Sequence, residues 1–140
     1  WLSSAFKVLS TFPNPIYESL SIPTWLYGHE PSTPFATHIA KLFENALRED
    51  GLLTIAAGGV IYSPGSARTM QEIFQDAVQN HYLTFGYASP MAFLGVKYWK
   101  ETLPAYTLLE SMTKTGRYKN LLLSISDNSK EVEDVILAFK

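Results

Sequence analysis

The feature that most constrains this chain is a run that reads as a short strand, a tight turn and the start of a helix. Val60, Ile61 and Tyr62 are β-forming residues in one short apolar run. Pro64-Gly65 follows as a strong turn signal. Beyond the turn, apolar residues recur at helical spacing: Met70, Ile73, Phe74, Ala77, Val78 and Tyr82. The run therefore predicts a strand, a turn and a helix in direct succession.

The predicted turn has the features of an anion site. A small-residue turn between a strand and a helix N-terminus exposes backbone N–H groups beside the positive end of the helix dipole. Such a terminus favours phosphate by charge and by geometry. Thr69 and Glu72 allow a second interpretation, because their spacing is also that of a capping box, in which both side chains only close the helix end.

Residues 64–72 resemble the PGGxGTxxE motif of the Lonely Guy phosphoribohydrolases and their relatives, also called lysine decarboxylase-like proteins. The positions that agree are Pro64, Gly65, Thr69 and Glu72. The segment differs at Ser66 and Arg68, where the family has glycine. Glycine permits positive φ and a close approach of the backbone to phosphate, so these two differences bear directly on the site.

The resemblance implies hydrolysis of the N-glycosidic bond of nucleoside 5′-monophosphates to free base and ribose 5-phosphate, with no cofactor. Glu72 would be the catalytic carboxylate, since a carboxylate stabilises an oxocarbenium-like transition state. Phosphate would bind the segment made of Gly65, Ser66, Ala67, Arg68 and Thr69. The alternative is a domain that binds a nucleotide or another phosphate-bearing ligand without catalysis.

Arg48 occupies the place of an arginine that the family carries on the helix before the motif strand. In that role its guanidinium would fix an anionic group of the ligand, and it is the second catalytic candidate. The alternative is a surface arginine near a helix C-terminus, where a cation is mildly favoured. Both interpretations are open at this point.

Apolar patterns beyond this run predict alternating strands and helices. Strands are expected near 23–27, 59–63, 91–96 and 120–126. A helix with the stripe Ile39, Leu42, Phe43, Ala46 and Leu47 is expected between the first two. Residues 52–57 fit a helix or a strand, and we choose helix because a hairpin with 60–63 would disturb the strand-turn-helix unit.

Two further helices follow the later strands. One is expected to start at 102–104, to bury Leu108, Leu109 and Met112, and to end at Gly116. The other starts with the capping-box spacing of Asn128 and Glu131 and turns Val132, Val135, Ile136 and Phe139 inward. The predicted fold is α/β, a Rossmann-like parallel sheet with helices on both faces.

The domain prediction is a single Rossmann-like nucleotide-binding domain over 1–140. Residues 1–22 form a poorly defined lead-in, with a short helix around Ala5 to Leu9 that Pro13 ends. No Gly-x-Gly-x-x-Gly run stands in the sequence, and the first residue is Trp1. The N-terminal part of the nucleotide-binding fold is therefore expected to be missing, and the chain to be the C-terminal portion of a larger fold.

A possible ligand loop, Gly28-His29-Glu30, follows the strand expected at 23–27. Ligands of open α/β sheets bind outside the carboxyl ends of strands, so this pair could contact a ligand or transfer a proton. The alternative is an ordinary solvated loop. A metal site is not expected, because no second histidine or carboxylate stands nearby at ligand spacing.

The composition of the chain limits which partners and cofactors are expected. The net charge is -2 and the chain has no cysteine, so neither a nucleic-acid partner nor thiolate chemistry is expected. No apolar run approaches the roughly 18 residues of a membrane span. We expect a cytoplasmic protein without metal or other cofactor. A small sheet with exposed edges and apolar faces predicts a homodimer.

Overall fold

The computed structural model describes residues 2–14, 16–25 and 31–139. The chain divides into two compact units, Trp1–Leu52 and Leu53–Lys140. Across the described residues it forms six helices and five short strands, and the paired strands run parallel. The predicted α/β class with parallel strands is confirmed. The possible ligand loop Gly28-His29-Glu30 lies outside the described residues.

The first unit begins with helix α1, Leu2–Thr11, which ends before Pro13 as predicted. Strands β1, Leu20–Ser21, and β2, His38–Ile39, pair in parallel. Helix α2, Asn45–Ile55, starts in this unit and continues past Gly51. Residues 52–55 are therefore helical, which confirms the choice of helix over strand there.

Two expectations for the first unit are wrong. The helix with a stripe from Ile39 to Leu47 does not form, because the chain around residue 38 pairs with the segment at Ser19 instead. The Thr37 hydroxyl donates to the Ser19 carbonyl at 3.0 Å, and the His38 N–H donates to the same oxygen at 3.0 Å. The strand expected at 23–27 is reduced, among described residues, to an isolated bridge between Thr24 and Leu42. In this part of the chain, hydrogen bonds between distant segments replaced the local structure that the apolar pattern predicted.

The second unit contains a three-stranded parallel sheet in the order β3-β4-β5. The strands are β3, Val60–Tyr62, β4, Pro90–Leu94, and β5, Leu122–Ser126. Helix α3, Ala67–Tyr82, connects β3 to β4. A π-helix, Tyr98–Thr102, and helix α4, Ala105–Lys114, connect β4 to β5. Helix α5, Ser129–Ala138, follows β5. The antiparallel alternative for β3 does not occur.

The core of this unit packs the side chains of one sheet face against α3, α4 and the π-helix. The fully buried members include Ile73, Met91, Phe93, Trp99 and Leu109. Burial of each such side chain stabilises the fold by about 1.5–3 kcal/mol. Gly59 starts β3 with φ of +119°, and a Cβ there would lie 2.8 Å from the Pro90 carbonyl oxygen. Only glycine fits at that close approach.

Two helix predictions need correction, and one helix was not predicted. On α4 the buried residues are Ala105, Tyr106 and Leu109, whereas Leu108 is 47% exposed. On α3 the predicted Val78 and Tyr82 are exposed, and the polar Asp76 and Asn80 are buried in their place. The π-helix had no predicted counterpart. By contrast, Gly116 ends α4 with φ of +73°, as the sequence indicated.

Candidate anion site at the start of helix α3

The turn between β3 and α3 places a helix start where the sequence predicted one, but two residues earlier. The first helical residue is Ala67 and the N-cap is Ser66, whose side chain makes no capping hydrogen bond. The first bond of the helix runs from the Met70 N–H to the Ser66 carbonyl, at 3.0 Å. Thr69 is therefore the third helical residue, and the capping-box interpretation of Thr69 and Glu72 is wrong.

Thr69 instead packs back onto the turn. A Cβ built on Gly65 would lie 2.1 Å from Thr69 Oγ1 and 2.8 Å from Thr69 Cβ. Glycine at position 65 is thus required by this contact and not by a positive φ. The Thr69 hydroxyl thus lies in the first turn of α3, on the side of Gly65. There it can donate to an anion together with the first backbone N–H groups of the helix.

Ser66 and Arg68 replace motif glycines without adopting a positive φ. Among the described residues, the non-glycine residues with positive φ are Leu83 and Asn120. Ser66 has φ of -125°, and Arg68 is the second residue of a regular helix. Neither position therefore needs the positive φ that glycine permits. What Arg68 adds is a half-buried cationic side chain in the first turn of the helix.

Side chains bind backbone N–H groups after both of the other strands of this sheet. After β4, the Val96 N–H donates to Asp127 Oδ1 at 2.8 Å. After β5, the Lys130 N–H donates to Asn128 Oδ1 at 2.9 Å, so Asn128 is the N-cap that its spacing predicted. The start of α3 has no such side-chain cap from Ser66. The N-caps of the π-helix and of α4, Lys97 and Pro104, also make no side-chain cap. Of these three helices, α3 is the longest and the one that follows its strand with Ser66 as N-cap, so its start is the candidate for an outside anion.

Glu72 lies on the side of α3 that faces Tyr62. The Tyr62 hydroxyl donates to Asp76 Oδ2 at 2.6 Å, and Asp76 Oδ1 accepts from Asn80 Nδ2 at 3.1 Å. Burial raises the pKa of Tyr62 well above its usual value, and the negative charges of Asp76 and Glu72 raise it further. Glu72 and Asp76, four residues apart, therefore form an acidic edge of α3 beside the end of β3.

Burial also raises the pKa of Asp76, to about 6, against the opposing effect of the Tyr62 hydrogen bond. Asn80 extends the network to the start of β4, because its Oδ1 accepts from the Ser89 N–H at 2.8 Å. The roles of Tyr62, Asp76 and Asn80 beside the site were not predicted from the sequence. The available signal was two polar residues at a spacing of four on the same helix face as Ile73 and Ala77.

Arg48 is buried, with 5% of its surface exposed, so the alternative of a surface arginine is wrong. It lies in the first half of α2 and not near its C-terminus. Its Nε donates to Asn45 Oδ1 at 3.0 Å, and its Nη2 lies 3.5 Å from Glu49 Oε1. Glu49 is itself fully buried and accepts from Asn45 Nδ2. A fixed guanidinium results, while the joint role of Arg48 and Glu72 stays a prediction.

The described residues contain no group of three or more side chains placed to hold a metal ion. Within the same ranges, none of the helices has the length and apolar character needed to cross a membrane. Comparisons of the chain with protein-family models, with curated proteins and with solved structures found no match. The resemblance to the Lonely Guy motif therefore stands on residues 64–72 and Arg48.

Proposed function

We propose that this chain binds the 5′-phosphate of a nucleotide at the start of α3 and hydrolyses the N-glycosidic bond of nucleoside 5′-monophosphates. The observation that carries the proposal is the start of the 16-residue helix α3, which follows β3 directly and lacks a side-chain cap from Ser66. The Thr69 hydroxyl lies beside it, against Gly65. In a Rossmann-like sheet with helices on both faces, this is the edge where phosphate ligands bind.

In the proposed reaction, water adds to the anomeric carbon while the base leaves, which gives free base and ribose 5-phosphate. Glu72 faces the sugar and stabilises the positive charge that develops on it. Backbone N–H groups of Ser66, Ala67 and Arg68, together with the Thr69 hydroxyl, hold the phosphate.

The second candidate function is binding of a phosphate-bearing ligand without hydrolysis. The observation that favours it is Arg68, which places a long cationic side chain in the first turn of α3, where the motif has glycine. A cation there strengthens phosphate binding by charge and leaves less room for the sugar. The two functions share the phosphate site and differ in the role of Glu72.

Incubation with a panel of nucleoside 5′-monophosphates, followed by chromatography of released base, tests the proposal. The wild type is expected to release free base from at least one of them. Glu72→Gln keeps the shape of the side chain but removes its charge, so it is expected to lower the rate by about 10² or more. Glu110→Gln on the outside of α4 is the matched control and is expected to act as the wild type.

Two results would contradict parts of the proposal. Equal rates for Glu72→Gln and the wild type would show that Glu72 is not the catalytic carboxylate. If no base is released but ribose 5-phosphate raises the melting temperature, the chain binds the phosphate ligand without hydrolysing it. The melting temperature reports binding because a ligand that binds the folded state stabilises it.

A further inference from the structure

The π-helix lies against the turn that precedes α3. Gly95, just before it, has φ of +106°, and a Cβ there would lie 3.4 Å from Pro64 Cγ and 3.6 Å from Tyr98 Cβ. These are ordinary contact distances, so glycine is favoured at position 95 by its positive φ and not by lack of space. π-Helices are rare and occur frequently at functional sites.

Two consecutive aromatic residues of the π-helix donate hydrogen bonds to the backbone near the start of α3. Trp99 is fully buried, and its Nε1–H is shared between the carbonyls of Tyr62 and Leu94, at 3.1 Å each. These carbonyls belong to the last residues of β3 and β4. Trp99 thus fixes the ends of two strands, whereas Tyr98 reaches beyond the strand into the turn.

The Tyr98 hydroxyl donates to the Gly65 carbonyl at 2.5 Å. A peptide group is planar, and its C=O and N–H point in opposite directions in the trans form. A bond that fixes the Gly65 carbonyl therefore also fixes the direction of the Ser66 N–H. Ser66 is the N-cap of α3, so this orientation carries directly into the first N–H groups of the helix.

We propose that Tyr98 is a positioning residue for the anion site: its hydroxyl holds the peptide between Gly65 and Ser66 so that the N–H groups at the start of α3 converge on phosphate. The inference rests on the proposed phosphate binding at that helix start. Tyr98 does not contact the ligand. It acts by keeping the turn in its binding geometry before the ligand arrives.

Tyr98→Phe tests this inference, because it removes only the hydroxyl and keeps the ring. Loss of one such hydrogen bond is expected to weaken the affinity for ribose 5-phosphate, measured by calorimetry, by about three- to ten-fold. Tyr106→Phe is the matched control: Tyr106 is a buried tyrosine in the same connection between β4 and β5, and its ring packs on Phe93. That control is expected to bind as the wild type does.

Kinetics separate positioning from catalysis and from loss of fold. Tyr98→Phe is expected to raise KM for the nucleoside monophosphate by a similar factor with kcat nearly unchanged, whereas Glu72→Gln is expected to lower kcat. Amide hydrogen exchange of the free protein gives a second measurement. The Ser66 amide is expected to exchange faster in Tyr98→Phe than in Tyr106→Phe.

The outcomes distinguish this inference from the proposed function. If the wild type binds ribose 5-phosphate and Tyr98→Phe binds it equally well, the role of Tyr98 is overturned and the proposed function stands. If Tyr106→Phe loses as much affinity for ribose 5-phosphate as Tyr98→Phe, the inference is also overturned, because removal of either tyrosine hydroxyl would then have the same effect. If the wild type neither binds ribose 5-phosphate nor releases base, the proposed function falls and the inference falls with it.

Discussion

At the scale of single residues, Asp76 is the least expected part of the candidate site. It stands on the buried face of α3, 4% exposed, and accepts hydrogen bonds from Tyr62 and Asn80. Removing a carboxylate from water disfavours its charged form, and the hydrogen bond from Tyr62 offsets that cost only in part. Asp76 therefore ties β3 to α3 at some expense of stability near neutral pH.

The pKa of Asp76 predicts a pH dependence of stability. In the folded protein it is raised from 3.8 to about 6, so the folded state binds this proton more tightly than the unfolded state. The corresponding stabilisation is complete below about pH 4 and is lost as pH rises through 6, to a total of about 2–3 kcal/mol. Asp76→Asn, which cannot ionise, is expected to lack this loss.

Urea unfolding of wild type and Asp76→Asn from pH 4 to pH 7 measures the effect. All other carboxyl groups contribute equally to both proteins, so the difference between the two curves isolates residue 76. A difference that does not change over this range would contradict the assignment.

At the scale of elements, the starts of α3 and α5 differ in how their first N–H groups are satisfied. The Asn128 side chain accepts from Lys130 N–H, whereas Ser66 makes no capping bond. Asn128→Ala is expected to lower the free energy of unfolding by about 1 kcal/mol, and Ser66→Ala by much less. Chemical denaturation without phosphate compares them directly. An equal loss would mean that Ser66 caps α3 and that its start is not open to a ligand.

At the scale of the whole molecule, the sheet of the second unit predicts association. Within the described residues β3 and β5 are its outer strands, and each has one edge without a partner strand. Large apolar side chains are also exposed along the end of α3 and after it, with Tyr82 at 73%. Open edges and exposed apolar groups favour contact with a second copy.

The expected assembly is a homodimer. Light scattering of the full-length protein over a range of concentrations measures its mass, and the melting temperature is expected to rise with protein concentration, because association stabilises the folded state. A monomeric mass at every concentration, with a constant melting temperature, would contradict this prediction.

The sequence by itself determined the strand-turn-helix run at 60–82, the parallel strands that follow, the cap at Asn128 and the end of α4 at Gly116. These features depend on signals that act within a few residues: β-forming runs, turn residues, caps and positive φ. It also singled out Gly65, although the reason is the packing of Thr69 and not a positive φ.

Only the tertiary structure decided how the candidate site is held. Tyr98 reaches Gly65 and Trp99 reaches Tyr62 across more than thirty residues, and no local pattern encodes such hydrogen bonds. The same holds for Arg48, whose burial excluded one of the two interpretations that the sequence left open. Local propensity determines which helices and strands form. Each buried polar group also needs a hydrogen-bond partner, and the packing of the helices and strands determines which group that partner is.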